Sequence, residues 1–243
     1  MGLGDVDAPW ANKKVVLLGD SMTRKLAAMW TAALSQDRHT LPCACSTRPF
    51  ALPHPASVAH IPLRLLEDSL DGALRALKFA SASAEPGDIL VVNAGLWNAA
   101  YGTLANYQAR VRELLMAAAA SRFQRVLWLT TTAIHPGRRR TSEHAMNAVL
   151  TWHNYFTTVR VDATNILALR QLQRLEVDRR ILPGRIEVVD VTHMTRAAPW
   201  LTVPGDMVHY CPTILVEMLY LMQRQLSLGA PGRDSRTALA AFA

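Results

Sequence analysis

Apolar positions along the chain alternate between short continuous runs and longer runs with helical spacing. Val15-Val16-Leu17-Leu18 is four consecutive apolar residues, two of them β-branched, which suits a central parallel strand covered on both faces. It runs into Gly19-Asp20-Ser21, and from Ser21 to about Leu34 the spacing is helical. Val58 to Leu66 includes a second strand, and Glu67 to Ala80 carries leucines at 70, 74 and 77 on one helical face. After the turn Glu85-Pro86-Gly87-Asp88, a third strand spans Ile89 to Asn93 and leads into Ala94-Gly95-Leu96-Trp97-Asn98. A helix over Leu104 to Ser121 precedes a fourth strand over Arg125 to Thr131. Helices are then expected over Ser142 to Phe156 and, more clearly, Thr164 to Asp178. Ile186 to Val191 is a fifth strand, and Thr213 to Leu226 a last apolar helix. Residues 38 to 62, with five prolines, three histidines and two cysteines but no periodicity, read as a long surface loop or lid.

Strand and helix alternating through five rounds predict an α/β fold: a three-layer α/β/α doubly wound sandwich with a five-stranded parallel sheet, flavodoxin-like, with right-handed crossovers. No repeat and no linker divides the chain, so a single domain over 1–243 is expected, with its core at about 14–227 and a flexible tail over 228–243. Ligands of such folds bind beyond the carboxyl ends of the strands. Ser21, the Gly95 to Asn98 turn, the loop with His135, and the stretch Asp206-Met207-Val208-His209 all follow strands at that edge.

Ser21 stands where a strand ends and a helix begins, a place where a hydroxyl can cap the helix or attack an ester. Asp206 and His209 are three apart on a turn, which puts them on one face. Alone, that spacing fits a capping Asp beside a surface His. Paired with a serine at the matching edge, it fits the division of labour of a Ser-His-Asp triad, with Asp206 holding one imidazole nitrogen while the other faces Ser21. His135, and His193 with Asp190 nearby, are weaker candidates for the base. Asp20 reads as a backbone-bonding turn residue.

Gly19-Asp20-Ser21 with Arg24 three residues on, Gly95-Leu96-Trp97-Asn98 after a middle strand, and Asp206-x-x-His209 near the end resemble the PC-esterase branch of the SGNH (GDSL-type) hydrolase superfamily. That branch includes trichome-birefringence-like polysaccharide O-acetyltransferases and sialic-acid O-acetyltransferases. The resemblance implies a serine-dependent esterase or O-acyltransferase, of O-acetyl type on a carbohydrate ester. Ser21, His209 and Asp206 would be the triad, and the Ser21 and Gly95 N–H groups would be oxyanion donors. Many SGNH enzymes place an Asn two residues after that Gly. Here the position is Trp97, so either Asn98 substitutes or the oxyanion hole is built differently. Arg24 would clamp a carboxylate, sugar hydroxyl or acyl oxygen, and Trp97 would offer a face to a sugar ring, as Trp200 and Tyr210 could. The alternative is a catalytically inactive domain that keeps the fold and binds a carbohydrate or protein at the same edge.

Composition narrows the field. Half of the 243 residues are hydrophobic, as in a globular chain with a complete core. The balance of 26 basic to 19 acidic residues gives +7, but the arginines are scattered and only Arg138-Arg139-Arg140 forms a run, read as a solvated loop; nucleic acid is not an expected partner. Three cysteines, Cys43, Cys45 and Cys211, fit neither a disulfide framework nor a zinc spacing. With no phosphate loop or dinucleotide fingerprint, a site without metal or cofactor is expected. Met1 to Lys14 has no apolar core of the kind a signal peptide needs, and the last helix is too short to span a bilayer and contains Glu217. The expectation is a soluble domain, with a secretory address only if it belongs to a longer chain.

Overall fold

The computed structural model of the chain describes residues 10, 12–34, 56–135, 157–203 and 207–228. The expected helix over Ser142 to Phe156, the arginine run, Cys43, Cys45, the residues of the expected lid up to Pro55, the tail after Leu228, and Asp206 lie outside them.

Five parallel strands, β1 (Lys14–Gly19), β2 (Ser57–Pro62), β3 (Ile89–Val92), β4 (Arg125–Leu129) and β5 (Glu187–Val189), form one sheet in the order β2-β1-β3-β4-β5. This is the α/β architecture expected from the sequence. Four of the strands lie within a residue or two of their expected runs, since residues buried on both faces of a parallel sheet leave a continuous hydrophobic signal, whereas the edge strand β2, whose residues are partly exposed, ends at Pro62 rather than near Leu66. Alternate residues go to opposite faces. Val15, Leu17, Val91 and Leu127 join one core with helices α1 (Ser21–Leu34) and α7 (Pro212–Leu228). Val16, Leu18, Leu90, Val126 and Trp128 join the other with α2 (Leu66–Ala82), α4 (Leu104–Ala120) and α5 (Thr158–Val177).

Two short helices and one helix start depart from the sequence expectation. Gly95 to Asn98 is not an isolated turn, since α3 (Leu96–Tyr101) begins there, and α6 (Val191–Arg196) occupies part of what reads as a connecting segment. Helices of six residues are too short to show periodicity. The helix expected from Thr164 starts earlier, at Thr158, where Thr157 caps it by accepting the Arg160 N–H. None of the described helices is long and apolar enough to cross a membrane.

Register places Leu18 beside Val92, Val92 beside Trp128 and Leu129 beside Val189, so these strands finish level with one another. In this strand order the connections diverge between β1 and β3, leaving a crevice at their carboxyl ends. At that crevice the backbones press together: a Cβ on Gly19 would lie 2.8 Å from the Asn93 carbonyl oxygen and equally close to the Thr23 side chain. Gly19→Ala should therefore cost about 1–3 kcal/mol, as overpacked cores do. Urea unfolding measures it, and an unchanged midpoint would show that the strand exits can separate freely.

Candidate active site

The first turn of α1 is built so that its serine hydroxyl is left for another partner. Asp20, not Ser21, caps the helix: its Oδ1 accepts the Met22 N–H at 2.8 Å, and its carbonyl accepts the Arg24 N–H at 3.1 Å and the Thr23 hydroxyl at 2.8 Å. Ser21 is then the first helical residue, and its Oγ lies 2.8 Å from His209 Nε2. A contact between residues 188 apart in sequence joins the start of the sheet to the segment before the last helix.

His209 is held by a short antiparallel arrangement. Thr202 pairs with Tyr210, the Val203 N–H donates to the His209 carbonyl at 2.8 Å, and the Cys211 N–H donates to Leu201 at 2.7 Å. The stretch after β4 braces the same segment, with the His135 N–H bonded to the Met207 carbonyl at 2.9 Å. Tyr210 is core rather than a binding face: it is 1 % exposed and its hydroxyl donates to Ala133 at 2.7 Å.

The weaker base candidates have other attachments. His135 Nε2 is 2.9 Å from the Thr195 carbonyl, and its ring meets Tyr210 edge-on. Asp190 caps α6, accepting from the Thr192 and His193 backbone N–H groups and from the Thr130 hydroxyl, while the His193 side chain is exposed.

Gly95, at the exit of β3, has φ +138° and begins α3. A Cβ there would lie 2.6 Å from Thr131 Oγ1, so both backbone angle and space require glycine. Among the described residues neither the Ser21 nor the Gly95 backbone N–H has an acceptor. Asn98 is placed differently from the expectation that it substitutes for an oxyanion donor. It is fully buried, its Oδ1 accepts the Leu66 N–H that begins α2, and its Nδ2 donates to Glu67 at 2.7 Å. The helical register of α3 turns its side chain toward α2, and its amide braces that helix.

Trp97 is half-buried on the rim, stacked on Tyr101 at 5.4 Å with the Arg64 guanidinium 5.9 Å from its ring centre. Arg24 is exposed and forms no ion pair with a described residue. Trp200 is 66 % exposed.

Several residues at this edge had not been singled out in the sequence. His60 of β2 lies 3.2 Å from Thr23 Oγ1, and burial, with the nearby Arg24 charge, lowers its pKa against the pull of the Gly19 and Asp20 carbonyls. Thr131, Asn165 and Thr192 form a buried polar cluster behind Gly95. The run Thr130-Thr131-Thr132 after an apolar strand was the available signal, being three hydroxyls where a ligand-facing edge begins.

No model of a known protein family matches the chain, and no curated protein matches it. Solved structures do. A lipase/acylhydrolase from Enterococcus faecalis superposes with a TM-score of 0.55 at 14% identity, covering 92% of this chain and 100% of that one. Est24, a carbohydrate acetylesterase from Sinorhizobium meliloti, gives 0.52 at 12% identity over 88% of this chain and 98% of that one. The native aryl esterase of M. smegmatis gives 0.51 at 13% identity with the same coverage. The chain thus shares the α/β fold of these three proteins.

Burial raises the Asp20 carboxyl from 3.8 to about 6, against the lowering effects of the Met22 N–H, the His209 charge and the Thr23 N–H. Because the folded pKa lies above the unfolded one, this group's favourable contribution is complete below about pH 4 and is lost as pH rises through about 6. Asp20→Asn keeps an oxygen for Met22 but cannot ionise. It should remove that slope and stabilise the protein at pH 7 by roughly 2–3 kcal/mol, at 1.36 kcal/mol per pKa unit. Denaturant unfolding of both proteins between pH 4 and 8 measures the difference, and parallel curves would contradict it.

Proposed function

We propose that the protein is a serine-dependent ester hydrolase or O-acyltransferase of the O-acetyl class, acting on a carbohydrate-type ester. The observation that carries this is the 2.8 Å approach of His209 Nε2 to Ser21 Oγ at the switch point of a doubly wound sheet. The names of the three superposing proteins, an acylhydrolase, an aryl esterase and a carbohydrate acetylesterase, support ester chemistry. The Trp97 and Tyr101 stack on α3, the helix that Gly95 begins, supports a sugar-like substrate, and the resemblance to the PC-esterase branch supports acyl transfer as well as hydrolysis.

Ser21 Oγ attacks the ester carbonyl as its proton passes to His209 Nε2. The carbonyl oxygen gains negative charge, stabilised by the Ser21 and Gly95 N–H groups and by the positive end of α1. The intermediate collapses, the C–O bond to the alcohol breaks, and His209 returns the proton to the leaving oxygen. Water, or a sugar hydroxyl, then attacks the acyl-serine with His209 again accepting its proton, and Ser21 is released. Asp206, three residues before His209 in the sequence and outside the described residues, is the proposed carboxylate partner that would orient the imidazole and stabilise its charged form. Arg24 and Trp97 contact the substrate outside the reacting bond.

Ser21→Ala should abolish labelling by a fluorophosphonate probe and reduce turnover of an activated acetate ester by ~10³-fold or more. Full turnover in that variant would end the proposal. Asp206→Asn should leave the fold intact and lower kcat by up to ~10⁴-fold; a loss of only a few fold in steady-state kinetics would assign Asp206 a capping role instead.

A further inference from the structure

The Ala94 carbonyl, at the exit of β3, is met by two hydroxyl donors from separate parts of the chain. Tyr107 Oη of α4 donates to it at 3.0 Å, and Thr131 Oγ1, in the segment after β4, donates at 3.1 Å. Tyr107 is 0 % exposed and Thr131 1 %. Burial pushes the Tyr107 phenol pKa up, so the group stays a donor. Thr131 is itself fixed: its N–H donates to Asn165 Oδ1 at 2.7 Å, and its carbonyl accepts from Asn165 Nδ2 at 3.1 Å and the Thr192 hydroxyl at 2.6 Å.

The Ala94–Gly95 peptide is trans, so its N–H points opposite to its carbonyl. Anchoring the oxygen on one side therefore aims the Gly95 N–H at the other. With both carbonyl lone pairs engaged, rotation of this peptide plane would leave two buried hydroxyls and a carbonyl without partners, which a dry interior strongly penalises. Hydrogen bonds accepted by an amide oxygen also polarise the amide and strengthen its N–H as a donor.

We propose that Tyr107 and Thr131 are positioning residues for the reaction: together they hold and polarise the Ala94–Gly95 peptide so that the Gly95 N–H faces the oxyanion of the acyl-transfer transition state. This rests on the serine acyl-transfer reading above. Neither side chain touches substrate, and both act through a single backbone N–H. The effect belongs to the transition state, because an N–H that is already aimed costs no reorganisation when charge develops on the acyl oxygen.

The test compares Tyr107→Phe, Thr131→Val and Thr131→Ser with wild type. The assays are hydrolysis of an activated acetate ester, active sites counted by fluorophosphonate titration, and inhibition by a small alkyl boronic acid as tetrahedral analogue. Losing a whole oxyanion donor lowers kcat by about 10²–10³-fold, so a misaimed one should lower it by about 10-fold per titrated site. Tyr107→Phe and Thr131→Val should each show that fall with KM nearly unchanged and a parallel loss of boronate affinity, and Thr131→Ser should restore both. A purely structural role would lower the titrated fraction and the melting temperature but leave kcat per titrated site and boronate affinity as in wild type; that result overturns the proposal. If Tyr107→Phe does not fold, the Thr131→Val and Thr131→Ser pair decides alone. Failure of wild type to label, or full activity in Ser21→Ala, would instead overturn the acyl-transfer reading.

Discussion

The exits of β1 and β3 approach so closely that the backbone carbonyl of Asn93 occupies the space a side chain on residue 19 would need. Much of the site depends on that contact. It brings the turn carrying Ser21 alongside the turn carrying Gly95, in the sheet order where the connections on the two sides diverge. The Asn93 N–H bonds to Leu18 at 2.9 Å, and its side chain reaches across to the Leu129 carbonyl at 3.0 Å, so one residue ties three strand ends together. A strand end fixed on both sides cannot drift, and the residues that follow it inherit that precision.

Behind this edge the protein buries many hydroxyls and amides. Thr130, Thr131, Asn165, Thr192 and Thr195 are all at least nine-tenths buried and hydrogen-bonded to one another or to backbone groups of Ala94, the segment after β4 and α6. Polar burial of this kind is tolerable only when it is paired, and a paired network holds one geometry more firmly than apolar packing would. From α5, Arg160 adds a further clamp, donating to the carbonyls of Asn98, Ala99 and Gly102 that end α3. The Ser21–His209 pair therefore stands on a floor whose backbone groups are largely committed, while Trp97, Tyr101, Arg64 and Arg24 on the rim keep exposed surface.

The sequence by itself determined the sheet. β1, β3 and β4 coincide with short apolar runs, because burial on both faces leaves no polar alternation to obscure them, while the edge strand β2 is partly exposed. It also determined that Gly19-Asp20-Ser21 and the segment with His209 would meet, since both follow strands and a parallel sheet gathers strand ends on one edge. Tertiary structure alone decided which side chains face which partners. Asp20 rather than Ser21 caps α1, Asn98 turns to α2, Tyr210 belongs to the core, and Tyr107 reaches the Ala94 carbonyl from the middle of an ordinary amphipathic helix. Local spacing carries the periodicity of one element. The direction of a hydrogen bond between elements depends on helix register, strand stagger and the exclusion of water, which arise only when the layers pack.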